Sequence, residues 1–143
     1  MNVRAILLIF ALACACLFGH AADDQDYEVN KWPVKASKRM PKEGDPAARA
    51  VAFLELIGKR DYETAKSFFS KNISAADRQS WDQFDAGFEK THKGYVSLYS
   101  WHIDGVQNGM PMASLRFATR AGEKPTITFP MIKENGKWMV AGY

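Results

Sequence analysis

Within YVSLYSWHIDG, His102 stands two residues before Asp104, and side chains two apart on an extended strand share a face. A carboxylate beside an imidazole fixes its tautomer and supports its protonated form, so such a pair could act as a general base. Turn chemistry also explains Asp104 well, because it precedes Gly105 where the strand would end. His92, in THKG at an expected helix end, reads as a solvated or carbonyl-capping side chain.

Arg116 lies between Leu115 and Phe117 and could anchor a carboxylate in a cavity, or stand on a solvated face beside Ser114 and Ala118. Trp81, Tyr99, Trp101 and Trp138, with Phe84, Phe88 and Phe129, could line an apolar ligand pocket. The competing use of these rings is as core, which a domain without disulfides needs. Trp81, Tyr99, Trp101, Arg116 and Trp138 are therefore the ligand-binding candidates, and His102, Asp104 and Tyr99 the catalytic ones. No metal site or cofactor is expected. Beyond Cys14 and Cys16 there is no cysteine, the histidines lack ligand spacing, no acidic cluster lies in a plausible loop, and no phosphate-cradling glycine loop or nucleophile elbow is present. Asn72-Ile73-Ser74 is a glycosylation sequon, informative in a eukaryotic source.

Three helical patterns come first. Asp45 and Pro46 form a start signal, and Ala47, Ala50, Val51, Leu54 and Ile57 recur at helical spacing, with Phe53 widening the stripe, before Gly58 offers a stop. RDYETAKSFFS gives a second helix capped by Asp61, with Ala65, Phe68 and Phe69 as its apolar side. Ser74 and Asp77 resemble a capping box for a third, lined by Trp81, Phe84 and Phe88 and ended by Gly94. The period then drops to two. Tyr95, Ser97, Tyr99, Trp101 and Ile103 would share one strand face, with Val96, Leu98, Ser100, His102 and Asp104 on the other. Asn108-Gly109 predicts a hairpin into a second strand, whose Ala113, Leu115 and Phe117 alternate with Ser114, Arg116 and Ala118. In TITFPMIK, Ile127, Phe129 and Met131 share a face, and Pro130 suggests an edge or a bulge. Asn135-Gly136 leads into the last strand, KWMVAGY. Helices followed by a four-strand antiparallel meander predict an α+β domain.

The first residues read as an export signal: Arg4, an apolar run from Ala5 to Phe18, and a small-residue exit at Gly19-His20-Ala21. That run is shorter than the about 20 residues that span a bilayer. The expected division is 1–21 signal, 22–44 a charged, poorly ordered leader, and 45–143 the domain. Lipidation at Cys14 or Cys16 is the lesser alternative, because neither has a Leu three positions upstream. The formal net charge is +3, and without Arg4 of the signal it is +2, a balance that argues against nucleic acid as a partner. KWPVKASKRMPK, from Lys31 to Lys42, holds basic residues and no acid, and reads as solvated chain or as a basic arm for anionic lipid or a polyanionic envelope polymer.

AARAVAFLELIGKRDYETAKSFFS resembles the opening of nuclear transport factor 2-like (cystatin-like) domains, and IKENGKWMVAGY resembles their last hairpin. More narrowly, the chain is similar to small exported bacterial domains of this fold. The resemblance implies a curved sheet wrapped against three helices as a cone, often around an apolar cavity. Secreted cystatin inhibitors share the helix-on-sheet idea, but the paired cysteines usual in them are missing here. Enzymes of the fold, lyases and isomerases like ketosteroid isomerase, would need His102 and Asp104 inside the cone, with Tyr99 stabilising an enolate. Fold alone does not settle activity. The leading expectation is an exported, non-enzymatic binding or accessory domain, periplasmic or secreted, that holds an apolar small molecule or an envelope protein on its curved sheet. The lyase or isomerase is the alternative, and homodimerisation through the exposed sheet face is compatible with either.

Overall fold

The computed structural model describes residues 31–77, 80, 87, 90 and 94–142. The signal expectation with Cys14 and Cys16, the side chains of Trp81, Phe84 and Phe88, and His92 all lie outside them. The element order is α1 (Pro46–Gly58), α2 (Tyr62–Lys66), β1 (Tyr95–Gln107), β2 (Met110–Thr119), β3 (Thr126–Glu134) and β4 (Lys137–Val140). The strands form one antiparallel sheet in the order β1-β2-β3-β4, so the arrangement is α+β.

Helix α1 begins where Pro46 costs no hydrogen bond, and it buries the expected stripe together with Phe53. Asp45 does not cap it with its side chain. Instead, its Oδ2 accepts from the Lys42 N–H at 2.8 Å, turning the incoming chain. The stop also differs from the glycine signal. Arg60, at φ 60°, is the left-handed residue: its N–H donates to Ile57 O at 2.9 Å, and the Asp61 N–H donates to Leu56 O at 2.9 Å. Gly58 is needed for another reason, because a Cβ there would lie 2.8 Å from Tyr95 O. Asp61 caps α2 by accepting from the Thr64 N–H at 3.2 Å, as expected.

That helix is shorter than its pattern. Phe68 to Ser70 leave it and run beside β4, where the Ser70 N–H donates to Val140 O and the Val140 N–H to Phe68 O, both at 2.8 Å. Ser74 starts the next helical turn with the expected reciprocal bonds: its Oγ accepts from the Asp77 N–H at 3.0 Å and donates to Asp77 Oδ2 at 2.6 Å.

Both Asn-Gly turns form tight hairpins with positive φ at each central residue. The inner face of the sheet carries Trp101, Ile103, Ala113, Leu115, Phe117, Phe129, Met131 and Val140, all buried under α1. Phe53 is the hinge pin of this core, with its ring 5.4 Å from that of Phe129 and 5.5 Å from that of Phe69. Pro130 is not on an edge strand. It pairs with Met112 at the end of the β2 ladder, one residue before the β4 ladder begins at Met131, where a missing donor does least harm.

The phase of β1 departs from simple alternation. Its register with β2 shifts between Tyr95 and Ser97, between Leu98 and Ser100, and between Ile103 and Val106. Each bulge adds a residue on β1, bending the strand and reversing which side the next residue faces. Hence Tyr95 and half-buried Leu98 join Trp101 and Ile103 at the core, whereas Tyr99 and Ser97 do not.

The stretch read as leader is docked from Pro33 to Gly44. Ser37 pairs with Trp101 along the free edge of β1 (Ser37 N–H to Trp101 O 2.7 Å, Trp101 N–H to Ser37 O 2.9 Å), and the Ile103 N–H donates to Pro33 O at 3.0 Å. The reason is the edge itself, whose unpaired backbone groups offer a ladder to any extended chain within reach.

Candidate functional site

The bulge at Tyr99 makes the first candidate surface. Arg116 stands between inward-facing Leu115 and Phe117, so it projects from the outer face, opposite Ser100 on β1. Tyr99, the residue left over between Leu98 and Ser100, is 37% exposed on that side. Its ring has the Lys124 Nζ at 4.5 Å, the Arg116 Cζ at 5.4 Å and the Lys38 Nζ at 5.5 Å from its centroid. Arg116 is steadied by donating from Nε to Lys124 O at 3.3 Å. Among the described residues, no carboxylate pairs with Lys38, Arg116 or Lys124. Three cations therefore surround one aromatic ring with spare donor capacity, a chemistry suited to carboxylate or phosphate oxygens.

His102 and Asp104 do not enter an interior. His102 is half-buried on the outer face, opposite Ser114, whose Oγ lies 2.5 Å from Thr128 Oγ1. Asp104 is exposed within the third bulge, beside Gly105 at φ 75°. No hydrogen bond or ion pair joins the two among the described residues, and the ladder with β2 is interrupted at Asp104 by the bulge between Ile103 and Val106.

Trp101 and Trp138 are core rings with structural duties. The Trp101 Nε1–H donates to Arg39 O at 2.7 Å, and the Trp138 Nε1–H donates to Gly44 O at 2.8 Å. Trp32 meets Trp138 edge to face, with ring centroids 5.9 Å apart. Both indoles thus tether the leader. Of the ligand-binding candidates, Tyr99 and Arg116 come together, Trp101 and Trp138 lie elsewhere, and Trp81 is outside the described residues. Lys38 and Lys124 were missed. The signal for Lys38 was the acid-free basic run, and Lys124 had only its position in the turn AGEKP.

Two open grooves are lined by other residues. One, of about 390 Å³, is bounded by Glu43, Arg49, Ala52, Lys137 and Trp138. There the Arg49 guanidinium stacks 3.4 Å from the Phe68 ring centre, and burial lowers its pKa. The other, of about 270 Å³, lies at Glu55, Gly58 and Tyr95; burial, with help from the Glu55 charge, pushes the Tyr95 phenol up to about 12. No group of three metal-ligating side chains occurs among the described residues. No family model matches the chain, and no match is found among curated proteins or solved structures.

Proposed function

We propose that this chain is an exported, non-enzymatic binding domain of nuclear transport factor 2-like type that takes an anionic ligand on the outer face of its sheet. The observation that carries the reading is the convergence of Lys38, Arg116 and Lys124 on the exposed ring of Tyr99, with no carboxylate paired to them among the described residues. The separate duties of Trp101 and Trp138, whose N–H groups hold the leader, move the ligand from an apolar pocket to this face. The non-enzymatic part rests on His102 and Asp104, which no hydrogen bond or ion pair joins among the described residues. Among the described residues no helix is long and apolar enough to cross a membrane, and the export part rests on the apolar run at the N-terminus.

Tripolyphosphate serves as a simple multivalent probe. Calorimetric titration should give saturable binding that weakens with salt. Loss of one charge-assisted contact is expected to cost about 1.5–3 kcal/mol, so Arg116→Ala should weaken binding about tenfold or more. Lys124→Ala should act in the same direction with the melting temperature unchanged. Absence of saturable binding, or an Arg116→Ala variant that binds as the parent does, would overturn the reading.

A further inference from the structure

The exposed apolar side chains lie on the two segments that also supply Lys38 and Tyr99, the leader and β1. Among the described residues the exposed large hydrophobics are Val34 (70%), Met40 (62%), Val96 (54%) and Tyr99 (37%). Val34 and Met40 belong to the docked leader, and Val96 and Tyr99 to β1, the strand on which the leader docks. Lys31, Lys35, Lys38, Arg39 and Lys42 are all exposed along the same leader, and the stretch contains no acid. Glu43 follows it at one end, and exposed Asp104 lies near its other end, beside Ile103.

We infer that the anionic partner of the Tyr99 face is the headgroup layer of a phospholipid bilayer, with the leader as the docking arm. This rests on the reading that the face takes an anion. A soluble polyanion would use the cations but would leave Val34 and Met40 in water. A bilayer surface uses both, because phosphates neutralise the lysines while short apolar side chains enter the boundary between headgroups and acyl chains. The leader is already held by its pairing to β1 and by the Trp101 and Trp138 tethers, so less ordering has to accompany binding than for a free basic tail. The contact is peripheral, and its strength depends on having two signals, charge and insertion, together.

The test is co-sedimentation of the chain recovered after export with vesicles of phosphatidylcholine alone or with about one-third phosphatidylglycerol. Binding is expected to the anionic vesicles and not to the neutral ones, and to fall as salt rises. Lys38→Ala should weaken it about fivefold. The double variant V34S/M40S, which shares the parent's N-terminus, should bind anionic vesicles about tenfold more weakly while keeping the parent's affinity for tripolyphosphate. If tripolyphosphate binds but anionic vesicles do not, or V34S/M40S binds vesicles as the parent does, the bilayer inference falls and a soluble polyanion takes its place. If neither probe binds, the anion reading itself falls.

Discussion

Tyr99 and Gly58 show how far one residue's role depends on its backbone. Tyr99 faces outward because a bulge adds a residue before it, and the three cations around its ring follow from that turn of the chain. Gly58 has an ordinary helical position yet no room for a side chain, because β1 passes directly over it. Better helix propensity would favour alanine there by about 1 kcal/mol. A Cβ at 2.8 Å from a backbone oxygen outweighs that gain, since neither the strand nor the helix end can yield alone. Gly58→Ala should therefore lower stability by about 1–3 kcal/mol in urea unfolding, with the slope unchanged. An equal or higher midpoint would mean that β1 shifts freely.

At the scale of elements, the parts written as local signals were legible. The apolar stripe of α1, the Asp61 and Ser74 caps and both Asn-Gly hairpins needed only neighbours in sequence. The phase of β2 was legible too, because Ala113, Leu115 and Phe117 alternate without interruption. In β1 the alternation is broken by bulges, which no residue of YVSLYSWHID announces, so simple alternation puts Tyr99 on the face of Trp101, whereas it is exposed on the other. The Phe68 to Ser70 segment was read as helix because its aromatics fit that period, but β4 supplies the hydrogen bonds that draw it out. The leader was read as solvated because its side chains are charged, whereas what docks is its backbone. That docking depends on Trp101. Trp101→Phe keeps most of the apolar area and leaves Arg39 O without its donor. It should destabilise the fold by about 1–3 kcal/mol and speed tryptic cleavage within Lys35–Lys42, read by mass spectrometry. Unchanged cleavage would mean that the Ser37 pairing suffices.

For the molecule as a whole, the open sheet is closed by irregular chain on both sides, Pro33 to Ser37 along β1 and Phe68 to Ser70 along β4. The positions covered this way are withheld from a strand of another copy. Removing the leader through Pro41 spares the Lys42–Asp45 turn and the start of α1, and it uncovers the β1 edge. The truncated chain should form larger, concentration-dependent species in sedimentation velocity, compared with the full chain at equal concentration. Identical sedimentation would assign the leader to ligand contact alone.

The two indole tethers also impose an order in time. Arg39 waits for Trp101, 62 residues later, and Gly44 waits for Trp138, 94 residues later. In a chain that emerges N-terminus first, the leader appears before α1 yet cannot be fastened until the last hairpin has been made. Until those indoles are in place, Arg39 O and Gly44 O have neither of these donors.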